Sequence, residues 1–215
     1  MKKKWMYLGL LITAFGLNSC ELIDNIKADG KIGGSTTPMS EVGNTFTVSG
    51  LTEATNVTAA VTALEGDVSE VAISMTLTDP TAKEIAKAIP DLNWEGDKIS
   101  VKRKYRITDE GIQSVHDEGN LTMVKYDDKV GDTYSLKMNG KNVRREITSK
   151  STDDDYPYAF FDIKVLKVEE TGRGLPGVSK LVYFLNHRFG LVGIRVDFED
   201  GSQREFNVFS FKENS

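Results

Sequence analysis

The stretch LVGIRVDFEDGSQREFNVF, residues 191–209, decides the fold because it specifies a β-hairpin together with its register. Apolar and polar residues alternate on both sides of the turn, as in strands that bury one face. A two-residue Asp-Gly loop would set Ile194 opposite Asn207 and mix the apolar and polar faces. A three-residue loop over residues 199–201, with its glycine in a left-handed bulge, sets Ile194 opposite Phe206 instead. The pattern therefore predicts an antiparallel hairpin with the longer loop.

A second hairpin is predicted in TYSLKMNGKNVRREI, residues 133–147. Asn139-Gly140 is a typical signal for a two-residue type I′ turn, in which both central residues have positive φ. This turn sets Leu136 opposite Val143, so the apolar residues of the two strands share one face. Turn type and hydrophobic pattern therefore agree.

Alternation with a period of two recurs along the chain from residue 45 on, most clearly in residues 71–78 and 99–107. With the weaker runs it predicts about ten or eleven strands, and the short connections favour antiparallel neighbours. A sheet of that size tends to curl, split or close. We therefore expect a mainly β (α+β) fold, with a large curved antiparallel sheet in the form of a sandwich or a partial barrel and one short helix packed on it.

The single helix is predicted in TDPTAKEIAKAIP, residues 78–90. Asp79 suits the N-cap, Pro80 suits the first helical position, and Pro90 ends the segment. Apolar residues recur between the two prolines at helical spacing. Residues 109–115 are a candidate for a further short turn or helix.

The N-terminal stretch MKKKWMYLGLLITAFGLNSC has the features of a lipoprotein signal peptide. Three lysines precede an uncharged, mostly apolar run over residues 5–17, which is shorter than the roughly 20 residues of a spanning helix. The LNSC motif at residues 17–20 resembles a bacterial lipobox, with an apolar residue three before the cysteine and a small residue directly before it. We expect residues 1–19 to be removed and Cys20 to carry lipid. The alternative is an ordinary secretory peptide with Cys20 as a thiol.

The remaining chain is predicted to have two parts. Residues 20–44 are rich in small and polar residues without periodicity, which is typical of a lipidated N-terminus followed by a flexible tether. Residues 45–215 are predicted to form a single β-rich globular domain. Without residues 1–19 the chain has 215 − 19 = 196 residues and a formal charge of −5 − 3 = −8. An acidic body with no basic block argues against nucleic acid as a partner.

Cys20 is the only cysteine, so its lipidation would leave none for a disulfide, a thiolate nucleophile or a thiolate zinc site. We therefore expect no cofactor and no metal. The membrane would be a partner through the N-terminal lipid, because more than one acyl chain makes membrane residence stable.

Three stretches resemble known proteins: VGDTYS at residues 130–135, STDDDYPYAFFDIKVLKVEETG at 151–172, and GVSKLVYFLNHRFGLVGIRVDFEDGSQREF at 177–206. They are similar to secreted lipoproteins of the Bacteroidota that have no assigned activity. The resemblance implies a lipid-anchored protein of the cell envelope, at the outer membrane. Some such proteins reach the cell surface through an acidic signal just after the lipidated cysteine. Only Glu21 and Asp24 are near it here, so the periplasmic and surface faces both stay open.

Catalytic motifs are not found in the sequence, which has two histidines and no G-x-S-x-G, H-E-x-x-H or phosphate-cradling glycine pattern. His187 could be a general base with Asp162 or Asp197 as its orienter, but without a nucleophile motif we interpret it as a turn residue. His116 lies in a polar connection and is interpreted in the same way. The three aspartates at 153–155 lack the alternating spacing of a calcium loop, which favours a solvated loop. No catalytic residue is therefore assigned.

Two groups of side chains are candidates for ligand contact. A basic stripe on one face of a predicted strand could meet anionic head groups or polysaccharide, or could be the solvated face of that strand. Two tyrosines could form an aromatic platform for glycan, whereas the strand alternation places at least Phe161 in the core. The candidate residues are Lys102, Lys104, Arg106, Tyr156 and Tyr158.

Two functions from different classes are compatible with these sequence features. The first is an outer-membrane-anchored lipoprotein that acts as a non-enzymatic binding or accessory module, with an envelope protein or a glycan as its partner. The alternative is a hydrolase of envelope or extracellular polymers, which would need acidic residues to converge in one cleft. An apolar-lined surface would favour binding, and carboxylates or a histidine in one pocket would favour the enzyme.

Overall fold

The computed structural model describes residues 29–212, so the predicted signal peptide and the predicted lipobox with Cys20 lie outside the described residues. The described chain contains one α-helix, α1, over Pro80–Lys87, a short 3-10 helix over Pro38–Ser40, and fifteen β-strands. The strands are β1 Asn44–Ser49, β2 Ala54–Glu65, β3 Val68–Leu77, β4 Asn93–Glu95, β5 Lys98–Ile107, β6 Gly111–His116, β7 Gly119–Lys125, β8 Thr133–Met138, β9 Lys141–Lys150, β10 Tyr156–Tyr158, β11 Phe161–Ile163, β12 Leu166–Thr171, β13 Val178–Asn186, β14 Gly190–Phe198 and β15 Gln203–Lys212. Within residues 29–212, no helix has the length and apolar character needed to cross a membrane.

Thirteen of the strands form one antiparallel sheet with the order β7-β6-β5-β3-β2-β1-β15-β14-β13-β12-β9-β8, and β4 pairs with β5. The sheet curves until its two end strands meet. There the backbone N–H of Lys125 in β7 donates to the hydroxyl of Tyr134 in β8 at 3.1 Å. The guanidinium of Arg145 in β9 also donates to the carbonyl oxygens of Leu121 and Thr122 in β7, at 3.2 and 3.1 Å. The prediction of a mainly β fold with a large curved antiparallel sheet and one short helix is confirmed.

The core lies inside this nearly closed sheet, where alternate side chains of each strand point inwards. Burying an aliphatic side chain of this size stabilises the fold by about 1.5–3 kcal/mol. The most completely buried side chains of the cluster are Leu121, Val124, Leu136, Val143, Ile147, Val168 and Leu185.

Both hairpin registers that were predicted from the alternation of apolar and polar residues are present. Ile194 lies opposite Phe206, and the glycine at position 201 has φ +86°, as the three-residue loop requires. Leu136 lies opposite Val143, and the two turn residues between β8 and β9 have φ +49° and +74°. These two values are those of the expected type I′ turn.

Helix α1 also follows its sequence signals, since the Asp79 carboxylate accepts a hydrogen bond from the backbone N–H of Ala82 at 2.9 Å. The prediction of a short turn or helix over residues 109–115 is correct for the turn at its start and wrong for the residues that follow. A turn is formed at 109–110, and the chain then enters β6, where pairing with β5 and β7 and the burial of Ile112 override the local tendency.

The chain before β1 differs from the flexible tether that its composition suggested. The backbone N–H of Asp29 donates to the carbonyl of Asn120 at 3.1 Å. Ile32 is only 3% exposed, and Met39 is 8% exposed at the far end of the sheet from α1. The folded body therefore includes residues from Asp29 on, ahead of the boundary expected at residue 45, because these apolar side chains find partners on the sheet.

Candidate functional site

A cavity of about 660 Å³ opens at the end of the sheet that α1 covers. Its walls come from inward-facing residues of β3, β5, β13, β14 and β15, since alternation sends every second side chain to the inside. Most of these side chains are apolar, and they include Ile73, Met75, Val101, Leu181, Val196 and Phe206.

Helix α1 lies across the mouth of this cavity with its apolar face inwards. Ala82, Ile85 and Ile89, which recur at helical spacing, line the opening. An ion pair between Lys83 and Asp97, with 2.7 Å between nitrogen and oxygen, fixes the outer face of the helix to the loop before β5. The N-cap hydrogen bond therefore stabilises the short helix, and the ion pair holds its outer face. The apolar side of the helix forms part of the cavity wall.

A second, smaller cavity of about 280 Å³ continues the apolar space toward the opposite end of the sheet, where Met39 closes it. The two cavities share Ile73, Met75 and Tyr105. We call the larger cavity under α1 the outer cavity and the smaller one the deep cavity. Strand β3 contributes Val71 to the deep cavity and Leu77 to the outer cavity, and these two positions are six residues or about 20 Å apart along the strand. The hydrocarbon core of a bilayer is about 30 Å thick, and one leaflet makes up half of it. The length along β3 is therefore greater than the hydrocarbon thickness of one leaflet.

Charged side chains occur at the mouth, and each carboxylate there has a structural partner. Asp79 caps α1, and Glu53 lies 3.6 Å from the guanidinium of Arg204. Asp200 accepts hydrogen bonds from the hydroxyl and backbone N–H of Ser202 at 2.6 and 2.9 Å, and the hydroxyl hydrogen bond lowers the pKa of this carboxyl. The carboxylates at the rim are therefore used in holding loops and the helix, and the wall below them is apolar.

A buried polar cluster lies inside the sheet on the side of β9, β12 and β13. Glu170 is fully buried and accepts from Arg145 at 2.8 Å, from Arg173 at 2.5 and 2.9 Å, and from the hydroxyl of Tyr183 at 3.2 Å. Burial alone would raise the pKa of Glu170, but Arg145 and Arg173 outweigh it and lower the pKa to about 2. Because Arg145 also holds β7, the cluster joins the two ends of the sheet.

The two histidines lie apart from the cavity lining. His116 ends β6, with its Nε2 2.9 Å from the hydroxyl oxygen of Ser114. Burial lowers the pKa of His116, and the nearby positive charge of Arg145 lowers it further. His187 is exposed in the turn between β13 and β14. Within residues 29–212, the described partner of the His116 ring is the Ser114 hydroxyl, and no carboxylate is hydrogen-bonded to either imidazole.

The aspartates at 153–155 lie in an exposed loop, where the hydroxyl of Ser151 donates to Asp155 at 2.7 Å. In the part of the chain that the structure describes, no group of three His, Cys, Asp or Glu side chains is placed to hold a metal ion.

The basic stripe lies on the outer face of β5, opposite the cavity wall. The ammonium of Lys102 pairs with Glu70 at 2.8 Å. Arg106 is mostly buried and donates to Asp67 and Asn120 at 3.2 and 2.9 Å. Two of the three candidate cations, Lys102 and Arg106, are thus engaged within the fold, and Lys104 lies exposed between them.

Both candidate tyrosines belong to β10. The β10–β11 hairpin packs on the outer face of β13, β14 and β15, and this contact buries the two tyrosine side chains. The ring of Tyr156 stacks on Phe184 with 4.8 Å between centroids, and its hydroxyl donates to Asn207 at 3.1 Å. Tyr158 is 6% exposed, whereas Phe161, which was expected in the core, lies at the rim of the same cluster and is 51% exposed. The tyrosines therefore act as packing residues and do not present a platform to solvent.

Comparison with protein-family models, with curated proteins and with solved structures finds no match for the chain. The site is therefore interpreted from its own geometry. The alternation in residues 71–78 and 99–107 indicated half-buried strands, but no sequence signal showed that a space lies between their inner faces and those of β13, β14 and β15.

Proposed function

We propose that this protein is an outer-membrane-anchored lipoprotein whose body is a non-enzymatic binding module, with the apolar cavity as its ligand site. The observation that supports binding is the cavity of about 660 Å³ beneath α1. Protein interiors are normally packed as densely as organic crystals, so an opening of this size is a functional feature more often than a packing defect. Sites for small ligands are typically concave, mostly apolar and about 300–1,000 Å³ in volume.

The lining favours an apolar ligand over a glycan or another polar polymer. Most side chains of the cavity wall are aliphatic or aromatic, and these offer few hydrogen-bond partners to hydroxyl groups. Desolvating a hydroxyl without replacing its hydrogen bonds costs about 1–3 kcal/mol in proteins. Hydrolysis of a polymer is less well supported, because the carboxylates at the mouth are already engaged by Arg204, Ser202 and the first turn of α1.

The proposed location rests on the sequence features of the N-terminus. A signal peptide that ends in a lipobox attaches lipid to Cys20 and places the mature protein in the cell envelope. The membrane is then the partner to which the protein is held, and it is also the nearest source of apolar ligands.

The test is a binding measurement with a small apolar fluorophore, N-phenylnaphthylamine, on the processed chain with Cys20→Ala, which needs no detergent. Val101→Trp adds bulk to the cavity wall, and Lys104→Trp places the same side chain on the outer face of the same strand. We expect wild type and Lys104→Trp to bind the fluorophore with similar affinity and Val101→Trp to bind at least about tenfold more weakly. Equal binding by all three proteins, or none by wild type, would refute the cavity as a ligand site.

A further inference from the structure

Arginine side chains face the inside of the sheet on two of its sides. Arg103 lies on the inner face of β5, two residues before Tyr105, and both line the outer cavity. Across the interior, Arg145 and Arg173 flank one carboxylate, that of Glu170. Two guanidinium groups and one carboxylate leave a formal charge of 2 − 1 = +1 in this cluster.

Three carboxylates also line the mouth of the cavity, those of Glu53, Asp79 and Asp200. Glu53 is paired with Arg204, Asp79 caps α1 and Asp200 is held in the turn between β14 and β15, so each has a partner other than Arg103. The nearest carboxylate to the Arg103 guanidinium among the described ion pairs is that of Asp91, which is 4.0 Å away and exposed.

Arg103 is also able to make further hydrogen bonds. It donates to two backbone carbonyls, those of Pro90 at 2.8 Å and Lys102 at 3.3 Å. A guanidinium has five N–H donors in a planar fork that matches a carboxylate or a phosphate. Its neighbour Tyr105 separates the outer cavity from the deep one, and burial raises the pKa of the tyrosine hydroxyl, which therefore stays protonated and can donate.

We propose that the ligand is an anionic amphiphile with a single acyl chain, whose chain fills the apolar cavity and whose acidic head group binds Arg103 and the hydroxyl of Tyr105. This inference rests on the proposed binding function and specifies the chemistry of its ligand. An anionic head matches the guanidinium of Arg103, and an acyl chain matches the mostly apolar lining of the two cavities. A fatty acid and a lysophospholipid with a terminal phosphate both have this chemistry.

The experiment compares ligands that share a sixteen-carbon chain and differ only in the head group: palmitate, palmitoyl lysophosphatidate, hexadecanol and hexadecyltrimethylammonium. Dissociation constants are measured by displacement of N-phenylnaphthylamine from the processed chain with Cys20→Ala. We expect an anionic ligand to bind about tenfold or more tightly than hexadecanol, and the cation to bind most weakly. Tighter palmitate would assign a carboxylate head, and tighter lysophosphatidate a phosphate head.

Arg103→Met should remove the preference for the anionic ligands and retain the affinity for hexadecanol. Tyr105→Phe should reduce the preference for the anionic ligands. Arg204→Met is the matched control, since it removes a guanidinium from the other side of the mouth and should leave the preference unchanged. Equal affinities for all four head groups, or an anion preference that survives Arg103→Met, would overturn this inference and leave the binding function intact. Failure of every ligand to bind would instead refute the binding function itself.

Discussion

Replacing Glu170 by Gln tests whether the buried cluster holds the sheet closed. The change keeps the shape of the side chain and removes the carboxylate that is paired with Arg145 within residues 29–212, where the Arg145 side chain is 3% exposed. Breaking a buried ion pair by removing one partner costs about 3–5 kcal/mol, because the remaining charge stays in the interior. The pKa gives a similar magnitude, since lowering it from 4.5 to about 2 corresponds to about 3 kcal/mol at 1.36 kcal/mol per pKa unit.

The pH dependence of this contribution has a definite sign. A carboxyl with a depressed pKa in the folded state stabilises the fold fully above its unfolded pKa of 4.5 and loses that effect as pH falls toward about 2. The difference in unfolding free energy between wild type and Glu170→Gln should therefore be constant near neutral pH and shrink between pH 4.5 and 2. Asp67, Glu70 and Asp200 also have lowered pKa values, but they are present in both proteins and cancel in the difference.

The assay is urea unfolding followed by circular dichroism at several pH values. Glu169→Gln is the matched control, because this neighbour forms a partly exposed pair with Lys180 at 2.8 Å, and such pairs contribute at most about 1 kcal/mol. A loss below about 1 kcal/mol for Glu170→Gln at pH 7, or a loss that does not change between pH 5 and 2, would refute the reasoning.

Three further changes have expected outcomes. Cys20→Ala should abolish acyl labelling and membrane fractionation while the body stays folded, and label on the variant would end the lipoprotein proposal. Gly193→Ala should cost about 1–3 kcal/mol in urea unfolding, because its Cβ would lie 2.2 Å from the hydroxyl oxygen of Tyr156; an unchanged midpoint would contradict this packing. The double change His116→Gln and His187→Gln should leave ligand binding and complementation of a deletion strain intact, and a folded, anchored variant that fails to complement would favour the hydrolase.

The features that the sequence predicted correctly are those that depend on local chemistry. The register of the β14–β15 hairpin follows from the alternation of apolar and polar residues, since a three-residue loop sets Ile194 opposite Phe206 on the apolar face and a two-residue loop would not. Helix α1 follows from a capping aspartate and a proline at its first position. In both places one short stretch of chain contains all the groups that decide the conformation.

The features that the sequence did not predict depend on contacts between distant parts of the chain. Asp29 is ordered by Asn120, and Ile32 is buried against the sheet, although nothing in the residues around them indicates a partner. Tyr156 and Tyr158 are buried because β13, β14 and β15 present an apolar outer face beneath them.

The candidate site is a further case of this kind. Alternation placed Ile73 and Met75 on an inner face, but whether inner side chains meet or leave a space depends on the curvature of the whole sheet and on where α1 lies. Likewise, nothing near Arg103 in the sequence showed that its side chain would line a cavity together with residues of β13, β14 and β15.

The most direct test of the central claim, that the body binds an apolar ligand in its interior, is native mass spectrometry of the anchored protein released from its own cell envelope. Wild type is predicted to retain a bound lipid-like molecule with a mass in addition to that of the polypeptide and its covalent lipid. Val101→Trp, which adds bulk to the cavity wall, is predicted to lose this added mass, and Lys104→Trp is predicted to keep it. A wild-type protein without added mass, or a bound molecule that persists in Val101→Trp, would contradict the claim.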